Sequence, residues 1–139
     1  VNPKGVVGGG VAENLDAGRY LYKATLVKVV DGDTVDLEVD LGFYIVMERR
    51  FRLLGLNAPE VNSPDPAVRA AAAQAKAALV NLISGPSVAG QLRVLSKKDA
   101  GDKYGRYLGT LLVVDSTGTE ILNVNDALLK GGYAAPYMV

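Results

Sequence analysis

Val35, Leu37, Val39 and Leu41 alternate with Asp36, Glu38 and Asp40. A period of two puts the four apolar side chains on one face of an extended chain and the three carboxylates on the other. A helix would scatter both sets around its axis. The stretch must therefore be a strand with one face against a core and one in water. Such a strand needs partners, and its flanks supply them. Upstream, residues 20–30 carry Leu21, Ala24, Leu26, Val27, Val29 and Val30, a run that reads as a strand buried over much of its length. Asp31-Gly32 is a turn dipeptide between the two. Downstream, Gly42 permits another turn, and residues 45–56 read as a third strand with Gly55 near its end. Three strands joined by short turns make a β-meander.

Pro59 ends the meander, because proline cannot continue a central strand. A loop with Pro64 and Pro66 follows, then a helix over about residues 67–84. Asp65 is its expected N-cap, Pro66 its first residue, and the alanines 70–73 favour helix. Gly85-Pro86 stops it. Residues 88–96 read as a fourth strand, 97–106 as a polar loop, 107–114 as a fifth strand and 116–119 as a turn. Asn123 is placed to cap a short helix that ends at Gly131-Gly132. The order βββαββα predicts an α+β, mainly β fold: a five-stranded OB-fold barrel with two to three helices. Residues 1–18 hold Gly5, Gly8, Gly9 and Gly10 and read as a flexible arm, leaving 19–139 as a single domain.

Composition narrows the chemistry. The chain of 139 residues has no cysteine, histidine or tryptophan. Thiolate nucleophiles, imidazole bases and Cys- or His-ligated metals are excluded. Catalysis must use carboxylates, Lys, Arg, Tyr or hydroxyls, and a bound metal would be a hard cation held by oxygen. Fifteen Lys and Arg balance fifteen Asp and Glu. Four basic and seven acidic residues precede Phe43, and eleven basic and eight acidic ones follow. No window of about 18 apolar residues marks a membrane span, and no signal-peptide pattern stands at Val1.

Three polar segments stand out. Asp31-Gly32-Asp33-Thr34 reads on its own as a hairpin turn, and functionally as a carboxylate offered to a hard cation. A calcium loop of the EF-hand type does not fit, because Val35 and Gly42 stand where ligands are needed. In the second segment, residues 51–60, Arg52 interrupts an apolar strand. It is either a surface arginine, at a barrel rim or paired with a carboxylate. Asn57 and Glu60 follow at the mouth of a loop and could reach the Asp33 strand. The third segment is Asp102-Lys103-Tyr104-Gly105-Arg106, which alone reads as a solvated charged loop. Together they suit phosphodiester hydrolysis: a cation polarises a phosphoryl oxygen, two guanidiniums grip the non-bridging oxygens, and a glutamate handles water.

In order along the chain, Val30-Asp31-Gly32-Asp33-Thr34-Val35, residues 52–60, Lys103-Tyr104-Gly105-Arg106-Tyr107-Leu108, and Val124-Asn125-Asp126-Ala127-Leu128-Leu129 with Gly132-Tyr133-Ala134 form a set. With them the sequence resembles the staphylococcal nuclease family of OB-fold nucleases, from about Tyr20 to Pro136. The resemblance implies a calcium-dependent endonuclease acting on DNA and RNA with little base specificity. It implies Asp33 as a calcium carboxylate, Arg52 and Arg106 as phosphate-gripping arginines, and Glu60 as the residue that orients or activates water. Lys103 and Tyr104 fall where the family contacts a terminal phosphate. The family's second calcium carboxylate falls on Asn57, which lowers calcium affinity or shifts metal preference, and the carbonyl of Ala58 could still serve as a ligand. Tyr137 is the rough counterpart of the family's distal tyrosines. The resemblance also implies secretion or a cell-surface location. A monomer with no obligate protein partner and no membrane association is expected. The rival reading is an OB-fold module that binds nucleic acid or protein without cutting.

Overall fold

The computed structural model describes residues 20–98 and 106–137. Its strands are β1 (Leu21–Asp31), β2 (Thr34–Asp40), β3 (Val46–Leu53), β4 (Leu56–Asn57), β5 (Leu92–Lys98), β6 (Tyr107–Val114), β7 (Glu120–Asn123) and β8 (Ala135–Pro136). Helix α1 (Pro66–Ile83) lies between β4 and β5, and α2 (Val124–Lys130) between β7 and β8. Neighbouring strands run β3-β2-β1-β5-β6, and a parallel β3–β6 pairing returns the sheet to its start. The result is the closed five-stranded barrel of an OB-fold, with β7 added to β6 and a separate β4–β8 pair.

The β1-β2-β3 meander forms, although Leu41, the last of the alternating apolar residues, lies beyond β2 and is exposed. Val35, Leu37 and Val39 point into the core and are nearly inaccessible. Helix α1 begins at Pro66, with Asp65 Oδ1 accepting the Ala67 N–H at 2.9 Å. It buries Ala72, Ala75, Leu79 and Ile83, spaced three and four apart, on the barrel. Asn123 caps α2 as expected by accepting from the Asp126 N–H at 3.1 Å. No helix among the described residues is long and apolar enough to cross a membrane.

Several expectations change. β1 is largely exposed: Ala24 and Val29 are buried, whereas Leu21 and Val27 are not. Two register shifts against β2 bend the strand, so it can pair with β2 in one half and β5 in the other. The third strand stops at Leu53, because Gly55 turns the chain at φ 84° before β4 begins. The fourth strand starts at Leu92 rather than 88, since residues 86–91 are spent in turns, and it runs on to Lys98. Asp36 does not face water freely. It is buried to 9% exposure, and Arg50 from the adjacent strand grips both its oxygens at 2.7 and 3.0 Å. That grip holds the Asp36 carboxyl below its ordinary range. The β4, β7 and β8 strands were not expected, being two to four residues long.

Candidate active site at the β1–β2 turn

The site begins with a glycine that cannot be anything larger. A Cβ on Gly32 would lie 2.7 Å from Ala75 Cβ of α1 and 2.9 Å from Ala58 Cβ. The β1–β2 turn is therefore pressed between the helix and the segment after β4. That contact presents the carboxylates on either side of Gly32. Asp33 Oδ2 accepts the Ala58 N–H at 2.9 Å, and Asp33 Oδ1 accepts the Thr34 hydroxyl at 3.0 Å. Asp31 Oδ1 accepts the Asp33 N–H at 3.1 Å.

The two carboxylates share one small volume, and their acidities separate. Burial, with a hydrogen bond and repulsion from Asp33, pushes Asp31 up to about 6. Burial also pushes Asp33 up, but it is outweighed. A side-chain hydrogen bond with Asp31, the Ala58 N–H, the Thr34 hydroxyl and the charge of Arg52 together hold Asp33 below its ordinary value. The pair thus resists joint ionisation, with Asp33 the more acidic of the two.

Arg52 lies at the end of β3, in register opposite Thr34. Its Nη2 donates to Asn57 Oδ1 at 3.1 Å and to the Leu56 carbonyl at 3.3 Å. The ring of Tyr137 covers the guanidinium at 4.5 Å. Backbone pairs hold these groups in place: the Leu53 N–H donates to the Asp33 carbonyl at 2.8 Å, and the Tyr137 N–H to the Gly55 carbonyl at 2.9 Å. The buried Asn125 of α2 fixes the intervening turn. Its Nδ2 donates to the carbonyls of Leu54 and Gly109 at 2.9 and 3.1 Å, and its Oδ1 accepts the Leu111 N–H at 3.0 Å.

The structure thus brings together two hydrogen-bonded pairs, Asp33 with Ala58 and Arg52 with Asn57, joined by the chain at residues 57–58. Glu60 is exposed two residues beyond Ala58. Arg106 is half-buried directly before β6, whose Tyr107 and Leu108 pair with Phe51 and Arg52. Lys103 and Tyr104 lie outside the described residues. Sequence reasoning missed Asn125 as a structural tie, although a polar residue at a buried helical position is a signal of one. It also missed the stacking of Tyr137 on Arg52.

The donor set tests whether a cation suits the site. Its donors are hard oxygens: the Asp31 and Asp33 carboxylates, the Asn57 amide oxygen and nearby carbonyls. Two adjacent carboxylates that resist joint ionisation gain from a divalent cation. No group of three or more acidic side chains placed to hold a metal ion occurs among the described residues. The donors present are oxygens of the kind a hard cation takes, with fewer acidic groups than a fully caged ion needs.

A barrel of this order, with its polar group at the rim where β1 turns into β2, defines an OB-fold module. Residues 50–139 match the family described as staphylococcal nuclease homologue, and the chain belongs to that family. The match takes in Arg52, Asn57, Glu60 and Arg106; the Asp31–Asp33 turn lies ahead of it and is joined to it by the contacts above. The uncharacterized protein MJ1439 of Methanocaldococcus jannaschii is 29% identical over 131 residues, covering 84% of this chain and 60% of its own length. Protein ParB of Escherichia coli is 31% identical over 118 residues, covering 83% of this chain and 57% of its own. The chain thus spans about three fifths of these relatives. Family membership makes it a staphylococcal-nuclease-like module.

Proposed function

We propose that the protein is a calcium-dependent endonuclease that hydrolyses phosphodiester bonds of DNA and RNA with low base specificity. The observation that carries this reading is the hydrogen-bonded group Asp33–Ala58 and Asn57–Arg52, which sets a carboxylate beside a guanidinium at the barrel rim. Asp33, the Asn57 amide oxygen and the Ala58 carbonyl would hold calcium, which when bound polarises a phosphoryl oxygen and offsets its charge. Arg52 has Nε and Nη1 without a partner among the described residues, and these donate to non-bridging oxygens. Arg106 adds positive charge from the neighbouring strand as the transition state gathers negative charge. Glu60 orients the attacking water and accepts its proton, a role suited to an exposed carboxylate at a loop mouth. Lys103 and Tyr104 contact a terminal phosphate of the substrate. Contacts to phosphate carry no base information, hence the low specificity.

Digestion of single-stranded DNA and RNA with calcium and with chelator tests this. Cleavage should stop with chelator, and Arg52→Ala and Glu60→Ala should each lower turnover about 10²–10⁴-fold. Chelator-resistant cleavage, or wild-type rates in both variants, would refute the assignment. One observation favours the rival, a binding module: an amide stands at Asn57, and its oxygen already accepts from Arg52. A calcium titration separates the two, since a binding module needs no metal affinity at Asp33.

A further inference from the structure

The β2–β3 hairpin ends in a feature that neither the barrel nor the site requires. Its turn runs from Gly42 to Ile45, closed by the Ile45 N–H donating to the Gly42 carbonyl at 2.9 Å. The central residues are Phe43 at φ 57° and Tyr44 at φ 61°. Two left-handed central residues make a type I′ turn, a position for Asn-Gly and not for aromatics. Both rings project into solvent, at 94% and 105% exposure. Around them the chain is free of charge from Leu41 to Met47. An apolar knob is thus held out on a backbone that disfavours its residues. Its collar is acidic: Glu38, Asp40 and Glu48 are all exposed. Glu38 stands directly opposite Glu48 in the β2–β3 register, an unfavourable like-charge pair.

The same end of the barrel carries a hole. β3 pairs with β6 only at Phe51, Arg52 and Leu53, so the first part of β3 stands away from the β5 end. The gap is a cavity of about 540 Å³. Tyr20, Tyr22, Phe51 and Tyr107 give it aromatic walls; Arg49 and Lys97 supply its charge, and no acidic residue lines it. Knob and hole are complementary twice over, apolar to apolar and acidic collar to basic rim.

We propose that the Phe43-Tyr44 tip of one chain enters the barrel-end cavity of a second copy, and the second copy's tip enters the first, forming a two-fold dimer. A self-complementary patch is what such symmetry requires. The acidic collar disfavours seating the knob itself on a polyanion, whether nucleic acid or an anionic membrane. The dimer is an alternative to the expected monomer. It does not depend on the proposed nuclease activity, because no residue of the knob or the hole belongs to that site.

Sedimentation equilibrium of the full chain, without metal or nucleic acid, tests this. The weight-average mass should rise toward twice that of the chain across micromolar to millimolar concentrations. Phe43→Asn combined with Tyr44→Gly should stay monomeric over that range. At dilution, where both proteins are single chains, it should melt at a higher temperature than wild type, which also shows that it is folded. Glu48→Lys and Lys97→Glu should each weaken association at least tenfold, and an equimolar mixture of the two should restore it, since both contacts of the mixed dimer are then attractive. A wild-type chain that stays monomeric throughout overturns the proposal. So does a turn variant that associates like wild type, a mixture that fails to restore association, or association that appears only with added oligonucleotide or anionic vesicles.

Discussion

Asp31 differs from its neighbour Asp33 in one property with a measurable outcome. Its folded pKa of about 6 lies above the ordinary 3.8, so the fold favours its protonated form. That contribution to stability is fully present below about pH 4 and is lost as pH rises through about 6. Asp31→Asn keeps the oxygen that accepts the Asp33 N–H and removes the charge. In chelator, denaturant titrations should find the variant more stable than wild type above pH 6 and indistinguishable below pH 4. Wild-type stability at pH 8 would show that burying the Asp31 charge beside Asp33 costs the fold nothing. At this scale, residue type and order singled out Asp33, Arg52 and Asn57, which the fold brings to one rim of the barrel. Asn125 was not legible, because its partner Leu54 is 71 positions away and no local pattern links them. Arg50, paired with Asp36, escaped notice for a similar reason: its partner is across a strand pair and 14 positions away.

Helix α1 does more than cover the barrel, since Ala75 and Ala58 leave Gly32 no room for a side chain. Gly32→Ala should force the helix and the turn apart, with overpacking costing about 1–3 kcal/mol. If the site works as proposed, the same displacement moves Asp33 off the Ala58 N–H and lowers both calcium affinity and cleavage. Chemical denaturation measures the first effect and a calcium titration the second. Unchanged stability would mean that the helix gives way freely. Element boundaries were legible where a cap or a period marked them, as at Asp65, Asn123 and the alternating β2. They failed where tertiary geometry decided. The break after Leu53 depends on a left-handed Gly55, and the exposure of β1 on bulges that suit two partners at once. The Phe43-Tyr44 turn left a trace in the sequence: a hairpin turn after Gly42 with aromatics where Asn-Gly belongs.

The whole molecule depends on closure. β3 and β6 are parallel and meet only at Phe51–Leu53 with Tyr107–Gly109. Gly109 lets them meet, because a Cβ there would lie 3.0 Å from the Phe51 ring and 3.1 Å from Val94. The order of elements was readable in the sequence. Closure was not, since a parallel contact between distant strands has no local signal. Closure sets Tyr107 and Leu108, which follow Arg106, beside Phe51 and Arg52, so metal binding at the rim should be felt globally. If calcium binds the folded chain alone, it should stabilise the protein by about 2.7 kcal/mol at a hundredfold excess over its dissociation constant. Asp33→Asn should abolish that gain in thermal melts. A melting temperature indifferent to calcium in the wild type would remove the metal from the mechanism.

The three backbone bonds made by Asn125 bear on timing during synthesis. The turn at Leu54 that carries Arg52 is held by a side chain far downstream, and the Tyr137 ring over that arginine comes later still. A chain emerging from the ribosome has made its carboxylates and its arginine long before it can lock them together. If the site cuts as proposed, the growing polypeptide carries no assembled cutting site until residue 125 has left the ribosome. Competence would come as a late step, when residues 54, 109, 111 and 125 meet.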